Sequence, residues 1–404
     1  MSRLTRSLMR RGLWLSANIC CLRKFATPRD SRSILIVRTD GIGDFVLWLT
    51  YAAAVRRRYP SSDYHLTLVA PQELHDLLQA LGTFDCIIPF DRESLRNSFS
   101  YFVSLQKQIS EVRASVAINP QVSRHRDNDL LTRASGANVT IGFDGGADPR
   151  TQSPNNLRRY SKWYSKLIAS PEKSHDLEAN IQFARFFDAE FPNAYPALPA
   201  NIFTFPRWLP QTDYFVIQPQ AGSPEKQWPA ESFLAIANRL IAKTGWTPVV
   251  CGSLSDRSAC SQFSSLIEGP VINTCGEITL RDLCGVLSQA KLAISNDTGP
   301  AHVAAAVGCP VIVPFGGWHF GRFFPYPKMA SLAPHCAYPV FRELECFGCS
   351  WTCRFGREPQ DAFYCLKTVS VDDVWNQLVE LLPSCSSRKT FDTPRTSQEI
   401  GERT

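Results

Sequence analysis

Twice along this chain of 404 residues a short apolar strand opens a run in which strands alternate with segments of helical period. The first run starts at Ser33-Ile-Leu-Ile-Val-Arg38 and the second at Tyr214-Phe-Val-Ile217. Parallel neighbours need a crossover, and a helix is the usual crossover, so strand-first alternation points to a parallel sheet with helices on both faces. In the first run His65–Val69, Cys86–Pro89 and Val116–Asn119 read as further strands, with helices over Phe45–Tyr59 and Glu73–Leu81. In the second, Thr247–Val250, Val271–Asn273, Leu292–Ser295 and Val311–Val313 read as strands. Ala230–Thr244, Arg257–Ile267, Leu280–Ser288 and Val371–Leu382 read as its helices. Between the runs, from about Asp144 to Pro210, the sequence is polar and proline-rich around a helical Leu177–Phe187. We expect an α/β protein of two doubly wound domains, residues 33–205 and 206–383, with ligands at the carboxyl edges of both sheets.

Composition agrees with two cores and narrows the surroundings. A chain of 404 residues, 44% hydrophobic, exceeds what one core supports. No apolar run reaches the length of a membrane span. Fourteen cysteines dispersed through a chain this long fit a reducing cytoplasm better than a secreted disulfide scaffold. The net charge of +6 gathers in the first thirty residues and gives no sign of nucleic-acid binding.

Residues 1–32 carry Arg3, Arg6, Arg10, Arg11, Arg23 and Lys24 around Leu4, Leu8, Leu15, Ile19 and Leu22. That spacing makes either an amphipathic helix for the surface of an anionic bilayer or a disordered basic extension. Ser16 and Asn18 interrupt the apolar stretch and no small-residue cleavage site follows, so it is not read as a signal peptide. Removing it is expected to leave the core intact. The polar residues 384–404 read as a disordered tail.

The chemistry gathers where strands give way to helices. After the first strand comes Thr39-Asp40-Gly41-Ile42-Gly43-Asp44. A dinucleotide fingerprint would need a third glycine where Val46 stands, which removes a nicotinamide or flavin oxidoreductase from consideration. The turn instead offers Asp44, on a rigid strand–helix junction, as a general base, with Asp40 as the second candidate and first-turn capping as the plain structural role. After Tyr214–Ile217 the loop Gln218-Pro-Gln-Ala-Gly-Ser223-Pro-Glu-Lys226-Gln-Trp-Pro229 is suited to wrap phosphates, Lys226 supplying a cation for a diphosphate leaving group. Asp256, after Val249–Ser255, is placed either for a ribose hydroxyl or to cap the next helix. Ser295-Asn-Asp297-Thr298-Gly299-Pro-Ala-His302 ends a buried strand and opens a helix, presenting backbone N–H groups and a carboxylate to a phosphorylated ligand.

Taken in order, Ile34–Asp44, Gln218–Pro229, Val249–Asp256 and Ile294–His302, with Gly308-Cys-Pro310 behind, resemble glycosyltransferase family 9, the ADP-heptose:lipopolysaccharide heptosyltransferases. The resemblance runs from about residue 33 to 382. It implies a GT-B fold of two Rossmann-like domains with parallel sheets and an interdomain cleft, the acceptor on the first and the nucleotide sugar on the second. It implies inverting transfer without an essential metal. On this pattern Asp44 is the base, with Asp40, Gly41 and Gly43 on the acceptor side. Ser223, Lys226, Asp256, Asp297, Thr298, Gly299 and His302 fall to the donor. ADP-heptose is the favoured donor and a lipopolysaccharide or other surface glycan the acceptor, at the cytoplasmic face of the inner membrane. Gln218 and Gln220 depart from the family's usual loop, as does the basic extension, and both bear on the choice of sugar and acceptor.

Cys346-x2-Cys349-x3-Cys353-x11-Cys365 has spacing that suits a tetrahedral structural zinc, an iron–sulfur cluster, or reduced thiols without metal. Similar cysteine groups occur near the C-terminus of some family members. Two other functions stand beside the transferase: a GT-B nucleotide-sugar epimerase, and a binding module built on the cysteines. Arg342, Arg354, Phe355 and Arg357 favour the last, but Glu343, Glu345, Glu358 and Asp361 break its basic patch.

Overall fold

A computed structural model describes residues 12–20, 30–145, 153–170, 175–329, 332, 335–356, 358 and 360–388. The chain divides into two units: one runs to Pro196 and takes back Pro327–Ala333, the other comprises Ala197–Tyr326 and the chain from Pro334.

The first unit is built on β1 (Asp30–Val37), β2 (His65–Pro71), β3 (Cys86–Phe90), β4 (Ala114–Asn119), β5 (Val139–Phe143) and β6 (Lys166–Ile168). They pair in the order β3-β2-β1-β4-β5-β6, every pair parallel. Ile34–Val37 are buried without alternation, as the centre of a sheet covered on both faces requires. The helix Ile42–Arg58 buries Phe45 to Leu49 with Tyr51, and its last turn carries Arg56, Arg57 and Arg58, cations where the helix dipole is negative. Its Trp48 meets Phe183 of the helix Asp176–Phe187, ring centroids 6.4 Å apart. Tyr195 fastens the returning segment: its hydroxyl donates to the Pro327 carbonyl at 2.8 Å and accepts from the Met329 N–H at 3.1 Å.

The N-terminal expectation needs correcting within residues 12–20, which are helical and belong to the core of this unit. Leu13, Ala17 and Cys20 are buried in the cluster that includes Phe102, Leu105, Ile109, Leu130 and Ala134. Gln106 donates to the Leu13 carbonyl at 3.3 Å. The stripe picked out in the sequence lies beside this one: Leu15 is 54% and Ile19 53% exposed. A 4,3 spacing through Leu13, Ala17 and Cys20 competes with the one through Leu15 and Ile19, and it is the Leu13 stripe that the core buries. Residues 1–11 and 21–29 lie outside the described residues.

The second unit repeats the plan with β7 (Tyr214–Gln218), β8 (Thr247–Val250), β9 (Ile272–Asn273), β10 (Ala293–Ser295), β11 (Val311–Pro314) and β12 (Ala337–Val340). The order β12-β11-β10-β7-β8-β9, all parallel, is that of the first sheet read from its other edge. A core cluster of this unit joins Phe215, Ile217, Trp228, Phe233, Leu366 and Leu378. The changeover at Pro196–Ala197 falls before the boundary drawn at 205/206 because residues 198–204 are already tied to this unit. Leu198 N–H donates to Ala306 O at 2.9 Å, Arg281 Nε to Ile202 O at 2.7 Å, and Thr204 Oγ1 to Asp282 Oδ1 at 2.6 Å. The last helix, Val371–Ser387, continues past Pro383 because Leu382 and Cys385 are buried on either side of it. The expected tail from 384 therefore begins as helix, and residues from 389 are outside the described set. No helix among the described residues is long and apolar enough to cross a membrane.

Candidate active site

Each sheet reverses its order once, between β1 and β4 in the first unit and between β7 and β10 in the second. The loops leaving such a pair of strands part to opposite faces and leave a crevice at the carboxyl edge, where open α/β sheets bind ligands. The Asp40–Asp44 turn leaves β1, the Pro219–Trp228 loop leaves β7, and Asn296–Thr298 leaves β10. Three of the four sequence motifs thus stand at switch points; Cys251–Asp256 follows β8, one strand away.

In the first unit a buried arginine organises the turn. Arg38, 3% exposed, donates from Nε and Nη2 to both Asp40 carboxylate oxygens at 2.8 and 2.7 Å, and from Nη2 to the Asp44 carbonyl at 2.9 Å. Its guanidinium lies 4.9 Å from the Trp48 ring and 5.4 Å from that of Phe45. Gly41 is the N-cap of Ile42–Arg58 with no side-chain cap, and Gly43 and Asp44 sit in the first turn. Among the described residues nothing hydrogen-bonds the half-buried Asp44 carboxylate, so capping does not occupy it. Asp40 is differently placed. Burial, opposed by Arg38 and reinforced by the Asp44 carboxylate, pushes its carboxyl up to about 7. Arg92, after β3, donates to the Asp40 carbonyl and pairs with Glu73 at 2.5 Å.

A polar network beside this turn was not found from sequence. Gln121, after β4, accepts at Oε1 from Thr39 N–H and Oγ1, each at 3.1 Å, and from Asn128. Arg124 and Asp129, both fully buried, pair at 3.0 Å, and Tyr164 donates to the same Asp129 oxygen at 2.7 Å. Burial and the Asp129 charge hold the Tyr164 hydroxyl well above its usual range, as a neutral donor. The available signal was position alone: Asn119-Pro-Gln121 directly follows a strand at the switch point.

In the second unit Asn296, fully buried, staples two loops. Its Oδ1 accepts from the Trp228 N–H at 2.8 Å and its Nδ2 donates to the Pro219 carbonyl at 2.9 Å. Trp228 Nε1 in turn donates to Val369 O at 2.8 Å. Sequence reasoning quoted Asn296 and Trp228 without giving either a role. The staple holds the Lys226 loop against the turn that opens the helix Gly299–Ala306, whose N-cap Thr298 makes no side-chain cap bond. Asp297 is buried in that turn, and Thr298 Oγ1 donates to Asn296 O at 3.3 Å. Lys226 Nζ lies 5.2 Å from the Trp351 ring and 5.9 Å from that of Trp318, and no carboxylate among the described residues pairs with it. Ser223 is the N-cap of the short turn Pro224–Lys226, its side chain unused as a cap.

Two donor candidates have structural partners of their own. Asp256 accepts from Ser253 N–H at 2.9 Å and Ser253 Oγ at 2.6 Å, closing a capping box. His302, 4% exposed, stacks on Phe324 with ring centroids 4.7 Å apart, and its Nδ1 lies 2.8 Å from the Tyr326 hydroxyl. That packing fixes the Gly299–Ala306 helix from behind.

Cys346, Cys349 and Cys353 are half-buried and Cys365 is buried, its sulfur accepting from the Gly317 N–H at 3.3 Å. Burial pushes the Cys349 and Cys365 thiols up, and their neighbouring cysteines add to it. Among the described residues no group of three or more His, Cys, Asp or Glu side chains is arranged to hold a metal ion.

Two six-stranded parallel sheets of one order, with these loops at the points of reversal, are the paired Rossmann-like units of a GT-B fold. Residues 102–339 match the model of glycosyltransferase family 9 (heptosyltransferase), and the chain belongs to that family. The lipopolysaccharide core heptosyltransferase OpsX of Haemophilus influenzae is 24% identical over 321 residues, 74% of this chain and 84% of that protein. Lipopolysaccharide heptosyltransferase 3 of Escherichia coli is 34% identical over 108 residues, 26% of this chain and 31% of that one. A family 9 glycosyl transferase from Veillonella parvula superposes with a TM-score of 0.67 at 19% identity, covering 89% of this chain and 99% of its own. Escherichia coli heptosyltransferase WaaC with ADP-2-deoxy-2-fluoro heptose gives 0.59 at 17% identity, covering 86% and 99%.

Proposed function

We propose that the chain transfers heptose from ADP-heptose to a sugar of lipopolysaccharide, with inversion at the anomeric carbon. In this reading Asp44, aided by the Arg38 grip on its backbone, removes the proton from the acceptor hydroxyl as that oxygen attacks. The bond from the anomeric carbon to the diphosphate oxygen breaks on the opposite face, and ADP leaves. Lys226 and the backbone N–H groups opening Gly299–Ala306 receive the charge that develops on the diphosphate. The transfer uses no metal, because these groups supply the positive charge. The observation that carries the reading is the Asn296 staple, which puts a cationic loop and a helix N-terminus on one sheet edge. OpsX, named for lipopolysaccharide core heptosyl transfer, supports the acceptor class, and WaaC, solved with an ADP-heptose analogue, the donor.

Leu15 and Ile19, exposed on the docked helix 12–20 and flanked in sequence by arginines, support peripheral contact with an anionic membrane on its cytoplasmic face. The test of the transfer itself is a panel of ADP-, UDP-, GDP- and dTDP-sugars with a heptose-deficient lipopolysaccharide acceptor, the product's anomeric configuration being read by NMR. Transfer from ADP-heptose with inversion is the expected result. Turnover of another nucleotide sugar in preference, or release of free sugar and nucleotide without acceptor, would overturn the assignment.

A further inference from the structure

Ser350 and Trp351 hold positive backbone φ angles of 46° and 71°, in the left-handed region that residues with a Cβ adopt at a cost. Two such residues in succession persist only where their surroundings over-determine them. Here the bonds that do so are visible. Ser350 N–H donates to the Trp318 carbonyl at 3.0 Å, Gly348 N–H to the Gly317 carbonyl at 2.7 Å, and Trp351 Nε1 to His319 Nε2 at 2.8 Å. The strained turn brings the Trp351 ring to 5.8 Å from that of Trp318, and Lys226 Nζ lies within 5.9 Å of both.

We propose that Trp351 is a positioning residue for Lys226: its ring, with that of Trp318, holds the ammonium ready for the donor's diphosphate. The inference rests on the reading of Lys226 as the diphosphate's cation. A lysine side chain is long and loses much rotamer freedom when it is fixed. A carboxylate could fix it, but would neutralise the charge that the phosphates need. Aromatic faces attract the ammonium through their quadrupoles and leave its full charge for an anion. This gives the cysteine-bearing segment, which carries Trp351 between Cys349 and Cys353, a part in donor binding.

Packing alone would also bring Trp351 against Phe363, their centroids 5.7 Å apart, so the experiment must separate the two roles. Calorimetric titration of the full chain with ADP and with adenosine does so. Trp351→Leu should weaken ADP binding about threefold to thirtyfold, the range of one cation–π contact, and leave adenosine binding unchanged. Trp351→Phe, which keeps an aromatic face, should stay within about twofold of the parent. In a Lys226→Ala background Trp351→Leu should have no further effect. If Trp351→Leu does not fold, Trp351→Met keeps the apolar contact without the π face and should give the same ADP-selective loss. Equal losses for ADP and adenosine, no loss for ADP, or full additivity with Lys226→Ala would overturn the proposal. Should Lys226→Ala weaken ADP binding while the Trp351 variants do not, only this proposal falls. Wild-type ADP affinity in Lys226→Ala would remove the reading of Lys226 beneath it.

Discussion

Replacing Asn296 with alanine should unfasten the two donor loops of the second unit. The side chain is fully buried and uses both ends of its amide, accepting from the Trp228 N–H and donating to the Pro219 carbonyl. Alanine fills neither role, and Trp228, 1% exposed, offers water little access to the orphaned N–H. Each buried polar group left unpaired costs about 1–3 kcal/mol, so the pair amounts to about 2–5 kcal/mol after some relaxation. Asn296→Asp is the sharper variant. It is nearly isosteric and still accepts from Trp228, but it turns a buried carboxylate oxygen toward the Pro219 carbonyl, so it should cost at least as much as alanine. Urea unfolding followed by tryptophan fluorescence would give the stability loss, and hydrogen exchange at the Trp228 amide would show whether the opening is local. A loss under about 1 kcal/mol with the Trp228 amide as protected as in the parent would refute the reasoning.

Asp44→Asn should lower transfer by about two to four powers of ten with little change in ADP affinity, because the amide keeps the shape but cannot take a proton. Near-normal turnover in this variant, with Asp40→Asn inactive, would move the base to Asp40. The Asp40 carboxyl rises from 3.8 in its ordinary state to about 7 on folding, so between those values the folded chain holds a proton that the unfolded chain has released. Its stabilising contribution is therefore complete below about 4 and is lost as pH rises through about 7. Urea midpoints should fall across that window in the parent and flatten in Asp40→Asn; equal slopes would contradict the placement. Leu13→Ala should cost about 2–5 kcal/mol, since its side chain is fully buried in the first core. A negligible loss would return residues 12–20 to the status of a dispensable extension.

Much of this architecture could be read from the residues alone, and the rest had physical reasons to stay hidden. β1, β4, β7 and β10, central in their sheets, are apolar runs and were recognised. β6, of three residues, and β12, which contains Pro339, stand at sheet edges where length and pairing are relaxed, and neither was recognised. Asp44 and Lys226 could be singled out as candidates because each follows a strand end whose neighbours announce a turn. Arg124, Asp129 and Tyr164 come from separate stretches, and only folding shows that they answer one another. Asp256 illustrates another case, a carboxylate with two tasks open in the sequence, for which the structure shows the capping bond. Trp351 shows the limit most clearly, since no local pattern reveals a tryptophan held in a left-handed backbone.

The return of Pro327–Ala333 to the first unit bears on how the chain is made. Tyr195 waits for two backbone partners, at Pro327 and Met329, that lie beyond β7 to β11 in the chain. Domains emerging from the ribosome generally fold in turn from the N-terminus. Here the first unit can form its sheet early but receives its last piece only after most of the second sheet has been synthesised. Neither half is thus a self-sufficient stretch of message: a fragment ending at Pro196 lacks a strap, and one beginning at Ala197 carries a strap with nothing to fasten.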